Sequence, residues 1–199
     1  SRFGRAYRNR LLGQWGVADV EDCVDAVAAV LSAGLADPKR VSIVGGSAGG
    51  YTTLQALVTS DSFTAGVSRY GIGDLELLQR DTHKFEAHYT EALVGPYPTA
   101  RDVFVERSPI HHVERLRTPM LIMQGTADKV VPPNQAILMA DAVRAQGLPV
   151  ALLLFEGEGH GFRRVSTRRA ALEAELSFYA QLWGFSPADP VPPLSIDNL

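Results

Sequence analysis

Apolar and polar positions along this chain alternate between two periods. Over residues 19 to 33, Val20, Val24, Val27, Val30 and Leu31 fall at helical spacing, with Asp19, Glu21, Asp22 and Asp25 toward the positive end of the helix dipole. Gly34 is the usual helix stop, and Asp37-Pro38 turns the chain into a short β-branched run at 41 to 45 that predicts a strand. A helix is expected over 51 to 59 and a second strand over 64 to 70. Between Ile72 and Leu116 the texture turns polar, with His83, His88, His111 and His112 and the breakers Gly95-Pro96, Pro98 and Pro109. This stretch reads as a helical excursion outside the sheet, with helices over 74 to 79 and 84 to 94. Pro119 then opens a third strand at 120 to 124, whose unbroken apolar character suits a sheet covered on both faces. An amphipathic helix over 132 to 146 is expected to turn Ile137, Leu138, Ala142 and Val143 inward, and the apolar run 150 to 155 is a fourth strand. The last helix, 166 to 183, places Leu172, Leu176, Tyr179 and Leu182 on one face. Residues 1 to 16 read as irregular, punctuated by Gly4, Gly13 and Gly16, with Trp15 as an anchor.

Strands alternating with helices at this spacing specify an α/β layer architecture around a parallel sheet. At 199 residues and 46% hydrophobic content the chain supports one substantial core, read as a domain over 1 to 185. The proline-rich tail SPADPVPPLSIDNL, 186 to 199, either hugs the surface or is disordered. A formal net charge of −3 with 21% charged residues gives no footprint for nucleic acid or an anionic membrane. No apolar run approaches the ~20 residues that span a bilayer. The lone Cys23 excludes an intrachain disulfide and, beside Val20, Val24 and Val27, reads as a small buried core residue. The opening SRFGRAYRNR is basic without a following hydrophobic stretch, so it is not a secretory signal; it lacks methionine, and an upstream part of the protein is expected. The location expected is the cytoplasm.

The chemistry is carried by the stretch VSIVGGSAGGY at 41 to 51. A strand stops at two glycines, Ser47 follows, and a helix begins, which is the pattern of a GxSxG nucleophile elbow. The serine of such a turn is strained, so Gly45, Gly46, Ala48, Gly49 and Gly50 answer the need for small neighbours. A phosphate-binding loop would require Lys and then Ser or Thr after its last glycine, and neither follows. In open parallel sheets ligands gather at the carboxyl ends of strands. There the chain supplies Asp128 within QGTADKVVP, after the third strand, and His160 within FEGEGHGF, after the fourth. The order Ser47, Asp128, His160 is that of an α/β-hydrolase. His160 is then the general base that takes the serine proton, and Asp128 orients the ring. Glu156 and Glu158 are the alternative acids, set aside because they lie so near the histidine in sequence. The backbone N–H of Ala48 is one oxyanion donor, and a second is not identifiable within the chain. His83 and His88, five residues apart, fall on different faces of a helix, so no metal site is expected.

Taken together, WGVADVEDC at 15 to 23, VSIVGGSAGGY at 41 to 51, SPIHHVERLRTPMLIMQGTADKVVPPNQ at 108 to 135 and LLFEGEGHGF at 153 to 162 resemble the catalytic domain of prolyl oligopeptidase family serine peptidases. The likeness is nearest to the acylaminoacyl peptidase and dipeptidyl aminopeptidase branch. The resemblance implies an α/β-hydrolase fold whose first strands lie upstream of Ser1, and a propeller-like N-terminal region of the same protein over the active site. It implies hydrolysis of short peptides or acylaminoacyl and aminoacyl bonds, without cofactor. FGRAYR, 3 to 8, resembles the segment just after the family loop whose tyrosine supplies the second oxyanion donor, so that tyrosine would precede this chain; Tyr7 falls after the Gly4-Arg5 step. Tyr51, Tyr70, Phe85 and Tyr89 are candidates for a hydrophobic substrate pocket, packing being the alternative for each. Two further readings stand beside the peptidase: a carboxylesterase or dienelactone-hydrolase-like enzyme on the same fold, and a non-catalytic piece that needs the missing N-terminal part. Homo-oligomerisation is left open.

Overall fold

The computed structural model describes residues 3–81 and 89–199. A short helix α1 (Gly4–Asn9) forms within the arginine-rich opening that reads as irregular, and it buries no residue. Helix α2 (Ala18–Ser32) follows, then strand β1 (Ser42–Gly46) and helix α3 (Ala48–Thr59). The elbow helix thus starts three positions earlier than its hydrophobic pattern predicts, because its first turn is the glycine-rich one. Strand β2 (Ala65–Arg69) leads into three short helices, α4 (Leu75–Asp81), α5 (Tyr89–Leu93) and α6 (Arg101–Glu106), and a 3₁₀ helix at Pro109–Arg115. Of the helix expected over 84 to 94, the positions 84 to 88 lie outside the described residues. Strand β3 (Met120–Gly125), helix α7 (Pro133–Ala145), strand β4 (Val150–Phe155) and helix α8 (Val165–Trp183) complete the order.

The strands form one parallel sheet in the order β1-β2-β3-β4, so each pairs with its neighbour in sequence. Ser42 is opposite Ala65, Gly66 opposite Met120 and Met120 opposite Val150. This register brings the carboxyl ends, and the turns that follow them, to one rim. Side chains of β3 alternate between two cores. Met120 and Ile122 pack with Val20, Leu54, Leu57, Met139 and Val143 from α2, α3 and α7. Leu121 and Met123 pack with Val67, Ala151, Ala171, Ala174 and Phe178 on the α8 side. Coverage on both faces is why β3 reads as an unbroken apolar run. A third cluster of Trp15, Tyr51, Ile72, Leu75, Leu78, Leu93 and Phe104 joins the helical excursion to the rim of the sheet.

Two helices match the apolar pattern only in part: Val143 of α7 and Tyr179 and Leu182 of α8 pack inward as expected, while other residues of the predicted faces turn outward. In α7, Ile137 is 37% and Leu138 48% exposed, while Gln135, Ala136, Met139, Ala140 and Val143 face inward. The reason is polar: the Gln135 carboxamide accepts the N–H groups of Gly73 (2.9 Å) and Asp74 (2.8 Å) and donates to the Asp74 carbonyl (3.0 Å). Satisfied in this way, a glutamine belongs to the buried stripe. In α8, Leu172 is 62% exposed and Leu176 38%, and the sheet is met by Ala171, Ala174 and Phe178 instead. Small residues let this helix lie close while Phe178 fills the gap. Cys23 is half-buried against the α2 side of the core, and burial, then Asp19 and Asp22, push its thiol up from its ordinary pKa.

The proline-rich tail lies on the surface. Val150 and Asp197 exchange backbone hydrogen bonds of 3.0 and 2.8 Å, and Leu194 and Ile196 pack against the α8 cluster. No helix among the described residues is long and apolar enough to cross a membrane.

The two faces of α8 separate cleanly by mutation. Phe178→Ala is expected to destabilise the fold by about 3–5 kcal/mol and Leu172→Ala by no more than ~0.5 kcal/mol, read by urea unfolding. Equal losses would overturn the face assignment.

Candidate active site

The turn after β1 is built by close backbone approach. Ser47 adopts φ 55° and ψ −121°, a region that non-glycine residues rarely enter and that costs about 1–3 kcal/mol. Its N–H donates to the Arg69 carbonyl at 3.0 Å, which pins the turn to the end of β2. A Cβ on Gly45 would lie 2.1 Å from the Gly49 carbonyl oxygen, and one on Gly50 would lie 2.7 Å from the Gly71 Cα. Strand and helix therefore touch main chain to main chain. Gly49 is different, since a Cβ there meets nothing within 4 Å. Ala48 occupies the first position of α3, where a helix offers no internal acceptor for the N–H.

Asp128 and His160 come to Ser47 from the turns after β3 and β4. The Asp128 side chain is buried, with Oδ1 accepting the N–H groups of Val130 and Val131 at 2.9 Å each. Its Oδ2 accepts from Gln124 Nε2 (3.1 Å) and lies 2.8 Å from His160 Nδ1. His160 Nε2 lies 2.8 Å from Ser47 Oγ. A carboxylate only accepts, so Nδ1 carries the proton and Nε2 is left to accept from the serine hydroxyl. Burial alone would raise the Asp128 pKa, but hydrogen bonds from His160, Val131 and Val130 outweigh it and hold the carboxyl below its usual range. Ser47, His160 and Asp128 thus form one continuous hydrogen-bonded series.

The expected pocket residues separate in the structure. A cavity of ~220 Å³ opens beside Ser47, Ala48 and His160, walled by Trp15, Ile72, Leu78, Tyr89, Thr90, Val130 and Val131. Tyr89 stands on this wall. Tyr51 lies behind it, 0% exposed, packed on Trp15 with ring centroids 4.5 Å apart and donating its hydroxyl to the Arg107 carbonyl. Packing thus replaces the pocket role expected for Tyr51, and burial pushes its phenol pKa up. Tyr70 does not line the cavity. It holds φ 41° and sets its ring edge-on to the His160 imidazole at 4.8 Å, with Phe162 beyond it. Phe85, His83 and His88 lie outside the described residues. His111 is exposed, and the His112 ring Nε2 is spent on the Glu106 carbonyl. Trp15, read only as an anchor, is a cavity wall that the sequence flagged through its place before Gly16. A larger groove of about 700 Å³ runs between α2, the end of α3 and the 3₁₀ helix, lined by Val20, Gln55 and Arg115. It does not include Ser47, so size does not locate the chemistry here.

Neither glutamate near His160 is hydrogen-bonded to its ring, which faces Asp128. Glu156 is exposed, and the Glu158 carboxylate is taken up by the N–H groups of Arg163 and Arg164. A further carboxylate braces the cavity wall. Glu76, one helical turn of α4 with Leu78, accepts from Arg101 Nε (2.7 Å), the Tyr97 hydroxyl (2.8 Å) and Arg80 (2.8 Å). The bond from Arg101, then that from Tyr97, lowers its pKa to about 2.

The model of the "Prolyl oligopeptidase family" matches residues 1–186. The chain belongs to the prolyl oligopeptidase family. Within this family it is 33% identical over 195 residues to dipeptidyl aminopeptidase BIII of Pseudoxanthomonas mexicana, covering 95% of this chain and 28% of that protein. It is 32% identical over 178 residues to the acylamino-acid-releasing enzyme of Arabidopsis thaliana, covering 83% and 23%. Among solved structures, a Mycobacterium tuberculosis puromycin-hydrolysing peptidase superposes with a TM-score of 0.95 at 48% identity, covering 98% of this chain and 30% of that one. This prolyl oligopeptidase family chain therefore spans less than a third of the length of these relatives, and its four-stranded parallel sheet is that of an α/β-hydrolase.

The glycine contacts predict an asymmetric pair. Gly45→Ala is expected to cost on the order of 3 kcal/mol or more through overpacking against backbone, whereas Gly49→Ala is tolerated without loss. Chemical denaturation reads both, and a tolerated Gly45→Ala would contradict the close approach. Glu76 gives a second expectation. Its folded pKa lies below the usual carboxylate value, so its contribution is complete above pH ~4 and lost as pH falls toward about 2. The melting temperature should fall over that window, and less steeply in Glu76→Gln; parallel curves would remove Glu76 from the account.

Proposed function

We propose that Ser47, His160 and Asp128 are the nucleophile, general base and orienting acid of a serine peptidase that cleaves short peptides and acylaminoacyl or aminoacyl bonds. The observation that carries this reading is the pair of 2.8 Å contacts, from Ser47 Oγ to His160 Nε2 and from His160 Nδ1 to Asp128 Oδ2, at the mouth of an apolar cavity. In the proposed cycle Ser47 Oγ attacks the scissile carbonyl carbon as its proton passes to His160 Nε2. The Ala48 N–H meets the developing oxyanion, aided by the partial positive charge of the α3 N-terminus. His160 returns the proton to the leaving amine, the C–N bond breaks, and an acyl-Ser47 ester remains. Water, deprotonated by the same imidazole, then hydrolyses that ester.

Trp15, Ile72, Leu78, Tyr89 and Val131 suit an apolar or aromatic side chain next to the scissile bond. The relatives support an aminoacyl or acylaminoacyl substrate, since they bear the names dipeptidyl aminopeptidase, acylamino-acid-releasing enzyme and puromycin-hydrolysing peptidase. Because the chain covers only 28% and 30% of two of them, the second oxyanion donor is assigned to the loop just upstream of this chain, and the groups that grip the substrate amine to parts of the protein outside it, among them a propeller-like N-terminal region.

In the full-length protein a fluorophosphonate probe should label Ser47, and Ser47→Ala should abolish both labelling and turnover. Loss of any of the three residues is expected to lower kcat by about 10⁴ or more. An apolar aminoacyl anilide and puromycin should both be cleaved. Cleavage of p-nitrophenyl esters alone would point to the esterase reading, and turnover surviving in Ser47→Ala would overturn the proposal.

A further inference from the structure

His160 sits in a connection that has little stiffness of its own. Residues 156–164 join β4 to α8 and contain Gly157, Gly159 and Gly161, with Gly157, Gly161 and Phe162 at positive φ. Glycine loses more conformational freedom on ordering than any other residue. A segment of this composition holds an imidazole within 2.8 Å of two partners only if other groups fix it.

Glu158 is placed to do so. It is 2% exposed, unusual for a glutamate, and it is not the acid that faces the imidazole. Its Oε2 accepts the Arg163 N–H at 2.8 Å and its Oε1 the Arg164 N–H at 3.0 Å, so the carboxylate reaches forward across His160 and clasps the chain on the far side. The bond from Arg163, then a hydrogen bond from the Thr167 side chain, that from Arg164 and the Arg164 guanidinium charge, outweigh burial and hold its carboxyl below the usual range. The same residue also reaches sideways. Its carbonyl accepts the Ala127 N–H at 2.9 Å, and its own N–H donates to the Phe155 carbonyl at 3.2 Å. A Cβ on Gly125 would lie 2.4 Å from that Glu158 carbonyl oxygen, so the end of β3 lies directly against it. Ala127 immediately precedes Asp128. Glu158 therefore ties the turn that carries Asp128, the loop that carries His160 and the start of α8 to a single point.

We propose that Glu158 is a positioning residue for His160, fixing the imidazole against both Asp128 and Ser47. The proposal rests on the serine-peptidase reading above. It predicts a specific kinetic pattern, because Glu158 does not line the substrate cavity. Glutamine in its place accepts from one N–H and turns an amide group toward the other. A displacement of the imidazole on the order of 1 Å is worth roughly 10²-fold in rate.

The test uses the full-length protein and an aminoacyl anilide, at a temperature where circular dichroism shows each variant fully folded. Glu158→Gln should lower kcat by about 10- to 100-fold with KM within about twofold. In a His160→Ala background the same substitution should change the residual rate no further, because the two residues act on one property. Unchanged kcat, a loss confined to KM, or an equal loss in both backgrounds would each overturn the proposal. If Glu158→Gln does not accumulate as folded protein, Glu158→Asp, which keeps the charge and shortens the reach, carries the test with the same expected split. Absence of Ser47 labelling and turnover in the wild-type protein would instead remove the serine-peptidase reading itself.

Discussion

Main-chain contact behind Ser47 is the constraint on which the site depends. Gly45 meets the first turn of α3, Gly50 meets Gly71 beyond the end of β2, and at each place a methyl group would overlap backbone. Only at that separation does the Ser47 N–H reach the Arg69 carbonyl and hold the residue at positive φ. Packing of Leu54, Leu57 and Val58 of α3 against Ile43 and Met120, far from any chemistry, supplies the stabilisation against which the local strain is held. The fold behind Ser47 leaves its half-buried side chain facing the cavity at the rim, against His160.

Charge is handled by one device throughout. Asp128, Glu158 and Glu76 are all withdrawn from water, and each is met by donors held on rigid backbone or by guanidinium groups. Burial raises a carboxyl pKa and donors lower it, and in all three the donors win. The consequence differs by place. At Asp128 one oxygen is committed to Val130 and Val131, which leaves the other aimed at the imidazole. At Glu76 both oxygens brace the helices over the cavity.

Much of this was legible in the sequence because its signals were local. Four apolar runs mark the strands, and GGSAGG, the acid after β3 and the histidine after β4 mark the site, since parallel sheets deliver such turns to one rim. What the pattern misplaced depended on partners distant in sequence. Ile137, Leu138, Leu172 and Leu176 form apolar rows by composition, yet α7 meets the sheet through Ala136, Met139, Ala140 and Val143, with Gln135 bonded to the Gly73–Asp74 main chain, and α8 meets it through Ala171, Ala174 and Phe178. Tyr51 beside the elbow looked like a substrate contact, but Trp15 stands in front of it. Glu158 read as a rival acid, and its partners are the backbone N–H groups of Arg163 and Arg164 together with the Thr167 side chain and the Arg164 guanidinium, none of which a local pattern reveals.

The tail closes the β4 side of the sheet in an economical way. A sheet edge presents a row of unpaired backbone groups that invites pairing with other chains. Asp197 covers Val150 through both of its backbone groups, while Pro187, Pro190, Pro192 and Pro193 upstream have no N–H to offer a further strand. The segment thus occupies the beginning of the edge without becoming a new edge itself, and β4 is guarded there against strand-by-strand growth into aggregates.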